Sequence, residues 1–545
     1  MQFYIFDIVL VMMAVTRKVA FLFLLTIPSL IDCRKFNHTE EAISVVSTPL
    51  AQGDTTAFKN LLGVNAFEWN FLQNPADVNN GMQIYEPKMQ VIKTFAGVRH
   101  YLDWGRIESK QGQFTFSPTH SGGWNLDAMY QRCKTENIDV LVCLKTCPDW
   151  LLQTYPGNER DAENVPMPYG SDKLQPKSYV LQAKAGFQFA ARYGSNLNVE
   201  KALLTVNTTP RWTGDQANEV KTGLGLIKYI ECDNERDKWW KGDKAHQSAE
   251  EYAANLSAFY DGHKGTLGKG VGVKNADPKM QVVMAGLAAT DAQYVAKMID
   301  WCKQNRGYKT DGSVNLCFDV INFHLYSNDH QSNNGKATQG IAPELSEAGK
   351  VAADFVTLAQ TYKLPVWVTE AGYDINQQSP QRAVKVGNKD ELKTQADWTI
   401  RTSLLYARFG IKKVFFYELF DDNLANPTQY ASSGLVTNDL KRRPAADYIL
   451  QTKNLLGNYS YRETISKTPL VDVYRNGNKV IYVLTIPDQT GKNVAYNLSL
   501  PGVKQVTVHQ LHAGTDAMES HQQSVGNNTV ALTVTETPLF VEVNK

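Results

Sequence analysis

Residues Leu364–Tyr373 read LPVWVTEAGY and indicate the fold class most clearly. Its first part, Leu364 to Thr369, is a short apolar and β-rich run of the kind that favours a buried strand. A pattern of helical period precedes it over Ala342–Tyr362, and another follows near Thr394–Phe409. Strands and helices that alternate in this way are typical of a parallel sheet.

The same alternation extends outward from this segment to give eight predicted strands, of which the last six are each followed by a predicted helix. The other predicted strands are Leu61–Phe67, Ala96–Leu102, Ile138–Leu144, Leu224–Glu231, Met280–Leu287, Phe318–Leu325 and Lys413–Tyr417. The other predicted helices are Ser178–Tyr193, Ala249–Gly262, Asp291–Gln304 and Ala445–Leu456. Such a series predicts an α/β fold, a (β/α)8 TIM barrel, over residues 52–457. This span is long for the fold, so we expect insertions at 154–177 and 195–222.

The pattern changes at residues 458–545, where short alternating strands predict a small all-β sandwich. The predicted strands are Lys479–Ile486, Val494–Leu500, Val506–Leu511, Val530–Val534 and Leu539–Val543. In the last of them Phe540 is out of phase with its apolar neighbours, so we expect both faces of that strand to be covered. The sequence favours a domain that supports the side of the barrel, with a sugar-binding module as the alternative.

Charge and aromatic content narrow the classes of ligand. The chain of 545 residues has 56 basic and 55 acidic residues, a formal net charge of +1. That balance gives no electrostatic reason to bind nucleic acid or an anionic membrane. Ten Trp and 25 Tyr suit the apolar faces of sugar rings, although the usual role of an aromatic side chain is core packing.

The N-terminus resembles a secretory signal. Arg17-Lys18 is followed by an apolar run from Val19 to Ile31, so residues 1–33 are predicted to be a signal segment and 34–51 a leader. Met13 is an alternative start, and the two apolar runs together are an alternative membrane anchor. Cys33 is a candidate lipid-anchor site, which Asp32 disfavours because a small residue is expected before the cysteine. The predicted location is secreted, periplasmic or at the outer cell surface.

The seven cysteines form no dense disulfide framework. Cys143, Cys147 and Cys232 lie near the ends of predicted strands three and four, where a zinc site is an alternative. No CxxC or HxxxH spacing supports zinc, so buried thiols are favoured. Cys302 and Cys317 flank a loop and form a candidate disulfide in an oxidising compartment.

Two glutamates follow predicted strands in a way that suggests catalysis. Strand four continues into Glu231-Cys-Asp-Asn-Glu235, and strand seven ends at Glu370. The active site of a TIM barrel lies at the carboxyl ends of its strands. Strands four and seven lie on roughly opposite sides of the barrel, so Glu235 and Glu370 can face each other there. Two such carboxylates are what glycoside hydrolysis requires.

These residues give the chain a resemblance to the clan of retaining glycoside hydrolases with catalytic Glu residues on strands four and seven, clan A. The clan's Asn-Glu pair is matched by Asn234-Glu235 and its strand-seven Glu by Glu370 in WVTEAGY. Its strand-two Arg is matched by Arg99 in GVRHYLDW, and its His-x-Tyr by His324 and Tyr326 in INFHLYS. The resemblance covers about residues 60–545, and the exact family is not assigned.

The resemblance implies a role for each matched residue. Glu370 is the expected nucleophile, stabilised as an anion by Arg99 and hydrogen-bonded by Tyr326. Glu235 is the expected acid/base. Asn234 is expected to bind the sugar 2-hydroxyl, and His324 to support the site or to bind a hydroxyl. The substrate implied is a β-glucan- or β-xylan-type oligo- or polysaccharide, and neither a metal nor an organic cofactor is expected.

Aromatic residues near the predicted strand ends are candidate sugar platforms. Trp150 is one of five, the others being Trp69, Trp104, Trp239 and Trp240, of which we expect two or three to stack on sugar rings. At strand eight, where many clan members carry a Trp, this chain reads FFYELFDDN, so Tyr417 or Phe420 is expected to replace it. Glu418 is interpreted as part of a structural pair, with a sugar contact as the alternative.

Two other functional classes fit the sequence less well than a hydrolase does. A non-catalytic carbohydrate-binding protein on a degenerate barrel is disfavoured because both Glu residues are present. A phosphate-using barrel enzyme is disfavoured because no Gly-rich phosphate loop is evident near strands seven and eight.

Overall fold

Residues 56–543 are the part of the chain described by the structure, a computed structural model. The predicted signal segment at 1–33, the candidate lipid-anchor site at Cys33 and the leader at 34–51 lie outside it. Within residues 56–543, no helix is both long enough and apolar enough to cross a membrane.

Eight parallel strands form a closed barrel. They are β1 (Gly63–Ala66), β2 (Gly97–Asp103), β3 (Asp139–Lys145), β4 (Tyr229–Cys232), β5 (Gln281–Met284), β6 (Ile321–His324), β7 (Val366–Ala371) and β8 (Lys413–Phe416). Strands pair in chain order, and β8 pairs with β1. Parallel bridges at Val283–Val320 and Leu287–Phe323 join β5 to β6 and close the barrel. The TIM-barrel prediction is confirmed.

The described helices connect these strands. They are α1 (Trp69–Leu72), α2 (Glu86–Ile92), α3 (Trp104–Ile107), α4 (Leu126–Thr135), α5 (Asp149–Leu152), α6 (Val180–Tyr193), α7 (Ala249–Asp261), α8 (Val273–Ala276), α9 (Ala292–Asn305), α10 (Ala348–Tyr362), α11 (Glu391–Phe409) and α12 (Pro444–Leu456). The sequence analysis identified no helix after strands one and two, where α2 and α4 lie. The buried positions of α4 (Leu126, Met129, Tyr130 and Cys133) do follow helical spacing.

The predicted fourth strand begins too early. Residues 224–228 precede β4, and their backbone is used differently: Leu224 and Leu226 donate to the carbonyls of Arg192 and Tyr193 at the end of α6. Only Tyr229–Cys232 pair with β3 and β5. Because these apolar residues satisfy their backbone groups at a helix end, periodicity alone could not separate them from the strand.

Residues 460–543 form two antiparallel sheets. Their strands are β9 (Ser460–Lys467), β10 (Leu470–Asn476), β11 (Lys479–Thr485), β12 (Asn493–Ser499), β13 (Gln505–Gln510), β14 (Glu519–Ser524), β15 (Thr529–Thr535) and β16 (Leu539–Val543). Six strands form one sheet, in the order β14-β13-β16-β11-β10-β9, and β12 pairs with β15 in the other. The polar strands β9 and β14 were missed because they lack an apolar repeat.

The six-stranded sheet is covered on both faces. Leu539 and Val541 pack in the core between the two sheets, whereas Phe540 packs in the core shared with the barrel. The expectation for Phe540 is therefore confirmed. On the barrel side the buried Arg408 of α11 donates to Asp472 of β10 at 2.7 Å. The sandwich thus packs against the flank of the barrel, while its supporting role remains a prediction.

Candidate active site

A cavity of about 320 Å³ lies at the carboxyl ends of the barrel strands. Both predicted catalytic glutamates line it. The lining residues are Phe67, Tyr101, Lys145, Thr146, Glu163, Asp233, Asn234, Glu235, Lys238, Trp240, Lys241, Tyr326, Glu370, Tyr417 and Tyr430. No residue of the C-terminal sheets is among them.

Glu370 on β7 is surrounded by hydrogen-bond donors. Arg99 Nη1 donates to its Oε1 at 2.8 Å, the Tyr101 hydroxyl donates to the same oxygen, and the Tyr326 hydroxyl donates to Oε2 at 2.9 Å. Burial acts to raise the pKa of Glu370, but the charges of His324 and Arg99 and the two tyrosine hydrogen bonds lower it below its ordinary value. Glu370 is thus held as an anion.

A β-bulge positions Glu370. Phe323 of β6 is opposite Val368, but the next residue, His324, is opposite Glu370, so Thr369 is the extra residue. A bulge turns the side chains that follow it, and bulges are frequent next to active sites. Thr369 Oγ1 lies 2.9 Å from His324 Nε2, which fixes the orientation of the imidazole.

Glu235 lies in the loop after β4, and fewer hydrogen-bond donors surround its carboxyl group than surround that of Glu370. Its backbone φ of 48° is in the left-handed region, which is strained for a residue with a side chain and is typical of functional sites. Its carboxyl group forms a hydrogen bond with His324, whose Nδ1 lies 2.8 Å from Oε1. Burial raises the pKa of Glu235, His324 acts against that, and the charge of Glu370 raises it further.

The two carboxyl groups are close together. One oxygen each of Glu235 and Glu370 and a ring nitrogen of His324 all lie within 4.8 Å of one another. His324 Nδ1 is also 3.4 Å from Glu370 Oε1. Burial lowers the pKa of His324, but the negative charge of Glu370 and the contact with Glu235 raise it, so the imidazolium form is favoured between the two carboxylates.

Arg99 organises the floor of the cavity. This fully buried guanidinium donates through Nε and Nη2 to both oxygens of Glu231, at 2.6 and 3.0 Å. Nη2 also donates to Asn234 Oδ1 at 2.7 Å, and Nη1 to Asn65 Oδ1 at 3.2 Å. A planar five-donor group is suited to such a network. Glu231 balances the charge of Arg99, and Asn234 is fixed with its oxygen turned away from solvent.

A close approach of backbone and ring requires Gly286. A Cβ atom built there would lie 2.0 Å from His324 Nε2, so any other residue would displace the imidazole. The amide of Gly286 also donates to Glu231 Oε1 at 3.2 Å. Gly286, two residues after the end of β5, therefore helps to hold both His324 and the counter-ion of Arg99.

Of the predicted sugar-binding residues, Asn234, Tyr326 and Tyr417 line the cavity, and Arg99 and His324 support it from below. Trp150 does not line it, so that prediction is wrong. Its ring packs edge-on against buried Trp104, 5.4 Å between centroids, and its Nε1 donates to the carbonyl of Glu108 at 2.8 Å. The short helix α5 after strand three turns this half-buried side chain toward Trp104.

Tyr101, Glu231 and Tyr430 are among the site residues that the sequence analysis did not identify. Tyr101 is two positions after Arg99 on the same strand, so the period of two could have identified it. Glu231 could have been identified as the counter-ion of Arg99, because a buried arginine needs one. Tyr430 belongs to the loop after β8 and packs 4.4 Å from Tyr326, centroid to centroid; nothing in the local sequence marks it.

The structure also bears on the sequence interpretations of Glu418 and of the cysteines. Glu418 makes no ion pair among the described residues, so the structural-pair interpretation is wrong; its surroundings are described below. Cys302 and Cys317 are buried with their Sγ atoms 3.4 Å apart, as two free thiols. Cys143, Cys147 and Cys232 are also buried and free, and their thiols face separate oxygen acceptors of Asp233, Asn164 and Gln182.

The group Glu235–His324–Glu370 also has the spacing of a metal site. Three protein ligands suffice for a catalytic divalent ion. However, both oxygens of Glu370 already accept hydrogen bonds, and the guanidinium of Arg99 would repel a cation at this position. The surroundings of Glu370 suit an anion that is to react rather than a metal ligand.

Solved structures with this fold are known. No protein-family model matches the chain, and no curated protein matches it significantly in sequence. A family 39 glycoside hydrolase from the gut symbiont Bacteroides cellulosilyticus WH2 matches with a TM-score of 0.59 and 16% identity, over 89% of this chain and 82% of that one. The chain shares the fold of that hydrolase.

Two further solved structures share this fold. A GH30 endoxylanase from Clostridium papyrosolvens C71 matches with a TM-score of 0.52 and 12% identity, over 90% of this chain and 98% of that one. A family 51 α-L-arabinofuranosidase from Bifidobacterium longum matches with a TM-score of 0.51 and 12% identity, over 91% and 100%. At these identities the likeness is one of fold.

Proposed function

We propose that the protein is a retaining glycoside hydrolase that cleaves β-linked glycans by double displacement. The observation that carries the proposal is the pair of carboxyl groups of half-buried Glu235 and buried Glu370, with oxygens within 4.8 Å of each other in one cavity. Retaining enzymes hold their carboxyls about 5–5.5 Å apart, whereas inverting enzymes leave about 6.5–9.5 Å for a water molecule. The short spacing favours a nucleophile and an acid/base.

In the first step, Glu370 attacks the anomeric carbon of the sugar while Glu235 donates its proton to the departing glycosidic oxygen. The lowered pKa of Glu370 keeps it ionised, and the donors Arg99, Tyr101 and Tyr326 hold it in one orientation for attack. The raised pKa of Glu235 keeps the proton available. The products of this step are a covalent glycosyl–enzyme ester and a free alcohol.

In the second step, water replaces the leaving group and Glu235 removes its proton. Esterified Glu370 no longer carries the charge that raises the pKa of Glu235, so Glu235 becomes the stronger acid and is ionised when a base is needed. Water attacks the anomeric carbon, the ester bond breaks, and Glu370 is released as a carboxylate. Two inversions give net retention.

We further propose a β-glucan- or β-xylan-type substrate without metal or organic cofactor. Asn234, held through its oxygen by Arg99, has its amide nitrogen left to bind the sugar 2-hydroxyl. Tyr417 and Trp240 offer aromatic faces in the cavity. The local resemblance to clan A and a neighbour that is an endoxylanase support this substrate class.

The test is the stereochemistry of the first product. Aryl β-xyloside and β-glucoside would be hydrolysed in an NMR tube and the anomeric protons followed before mutarotation. We expect the β-anomer first, and no hydrolysis by a Glu370→Gln control. The α-anomer first would contradict double displacement. EDTA treatment should leave the rate unchanged; loss restored by a divalent ion would favour the metal-site reading of Glu235–His324–Glu370.

We also propose that the protein acts outside the cytoplasm, secreted or held at the cell envelope. The signal-like segment at residues 1–33 and a polymeric substrate support this location. Fractionation of expressing cells, with radiolabelled palmitate to detect a lipid on Cys33, would test it. Protein found only in the cytoplasm would contradict it.

A further inference from the structure

A second cavity lies beside the catalytic one. Its volume is about 220 Å³, and it is formed by the loops after β1 and β8. It is lined by Phe67, Trp69, Asn70, Pro75, Lys88, Glu418, Phe420, Asp421, Asp422, Asn438 and Leu440. Phe67 lines both cavities, and the consecutive residues Tyr417 and Glu418 line the catalytic and the second cavity respectively. The two cavities are therefore neighbours.

Glu418 is a buried carboxyl group in the wall of this cavity. It is 3% exposed, and its Oε1 has no hydrogen-bond partner in the described part of the chain. Burial and the nearby negative charges of Asp422 and Asp421 raise the pKa of Glu418 to about 9, so it carries a proton at neutral pH. Glu418 also lines the second cavity, where its protonated carboxyl group can donate a hydrogen bond to a ligand hydroxyl.

The walls of the second cavity suit a sugar ring. Phe67 and Trp69 are half-buried and stacked, with ring centroids 4.3 Å apart and planes 9° from parallel. Phe420 contributes another half-buried aromatic side chain. Aromatic faces beside a few polar groups, here Glu418 and the exposed Asn438, match the apolar faces and hydroxyl rim of a pyranose.

The position of the cavity defines which part of the substrate it can hold. The leaving group must lie next to the acid/base, on the loop after β4. Strand β8 is four places from β4 in an eight-stranded barrel, so the loops after β8 and β1 lie across the opening from Glu235. A sugar bound there lies on the side of the reacting sugar away from the leaving group, which is the glycone side.

We propose that this second cavity binds the sugar unit attached to the glycone side of the reacting sugar, through hydrogen bonds with Glu418 and contact with Trp69. This inference rests on the proposed hydrolase function and deepens it. It makes the preferred substrate one with two linked neutral sugars before the cleaved bond, so that the smallest preferred product is a disaccharide.

The test compares aryl glycosides that differ by one glycone sugar. The four probes are the 4-nitrophenyl β-xyloside and β-xylobioside and the corresponding β-glucoside and β-cellobioside. For the sugar that is accepted, we expect kcat/KM for the disaccharide to exceed that for the monosaccharide by about tenfold or more. In Glu418→Ala that ratio should fall about tenfold, the size expected for a lost buried hydrogen bond. Trp69→Ala should lower it similarly.

Matched variants separate recognition from folding. Glu418→Gln should keep most of the ratio, because a neutral amide also donates a hydrogen bond. Glu519→Ala, on exposed β14, should keep the wild-type ratio. A wild-type ratio near one, an equal loss on both substrates in Glu418→Ala, or a Gln variant as impaired as Ala would each overturn the subsite. A failure of the proposed hydrolase function would give a different result. Neither the wild type nor any variant would then hydrolyse any of the four glycosides, and the proposed subsite would be overturned as well.

Discussion

Glu370 and Glu235 are the same residue type in one cavity, yet their surroundings differ in almost every respect. Glu370 lies on a strand and accepts hydrogen bonds from Arg99, Tyr101 and Tyr326. Glu235 lies in a loop at positive φ, and in the described part of the chain its carboxyl group forms a hydrogen bond only with His324. Burial raises the pKa of both, but the donors reverse the shift for Glu370 alone.

This difference shows how a pair of identical side chains acquires two roles. Ionised and fixed, Glu370 is suited to attack; protonated and less constrained, Glu235 is suited to exchange a proton with two successive oxygens. The roles depend on the neighbours rather than on the glutamates. Variants that remove a glutamate should therefore have different effects at the two positions, and variants that remove a neighbour should shift pKa values.

The largest effect is expected at Glu370. Glu370→Gln retains the size of the side chain and one accepting oxygen but removes the nucleophilic anion. We expect kcat on aryl β-glycosides to fall by at least ~10³-fold. Stopped assays on purified protein, with thermal unfolding as the folding control, would measure it. Turnover near the wild-type level would remove Glu370 from its proposed role.

Glu235→Ala should have an effect that depends on the leaving group. A poorly activated alkyl or sugar leaving group needs the proton, so its kcat/KM should fall by about 10²–10⁴-fold. A dinitrophenyl leaving group needs little protonation, so its kcat/KM should fall far less.

Added azide extends this prediction. Azide can attack the glycosyl–enzyme without a general base, so it should accelerate the Glu235→Ala variant on the activated substrate and yield a β-glycosyl azide. An equal loss on both leaving groups, with no azide product, would be incompatible with an acid/base role and would make the comparison of the two glutamates meaningless.

His324 touches both glutamates, so its removal should move both pKa values in the same direction. Its positive charge lowers the pKa of Glu370, and its contact lowers that of Glu235. In His324→Asn both carboxyl pKa values should rise, so the acid and the alkaline limbs of the kcat/KM profile should both move to higher pH. We expect a loss of roughly 10–100-fold at the optimum. Unmoved limbs would contradict this coupling.

Much of the fold follows from the sequence, because each buried parallel strand is a short apolar run set between helical patterns. The prediction was least accurate where apolar residues serve another purpose, as at residues 224–228, which cap α6 instead of joining β4. It was also weak for polar strands such as β14, whose exposed face carries no periodic signal.

The site was predictable for a different reason. Glu235 and Glu370 could be found because a carboxylate at the end of a buried strand is unfavourable without a function. The bulge at Thr369, which aligns His324 with Glu370, could not be found, since register between β6 and β7 depends on pairing across the barrel. For the same reason the orientation of Trp150 could not be read from its proximity to strand three.

The smallest effect on activity is expected for Tyr326→Phe, which tests most directly whether Glu370 and Glu235 titrate separately. Tyr326 donates to Glu370 Oε2 at 2.9 Å and, within residues 56–543, forms no hydrogen bond with Glu235. Tyr326→Phe removes one of the donors that stabilise the Glu370 anion, so the pKa of Glu370 should rise toward its ordinary value. A carboxylate whose pKa rises becomes protonated at higher pH, so the acid limb of the kcat/KM profile should move to higher pH.

The alkaline limb of the profile, which reports Glu235, should stay in place because the charge on Glu370 at that pH is unchanged. With Arg99 and Tyr101 still in place, we expect a loss of only about tenfold at the optimum. If both limbs moved together, as predicted for His324→Asn, the two glutamates would titrate as one unit and their separate environments would not define separate roles.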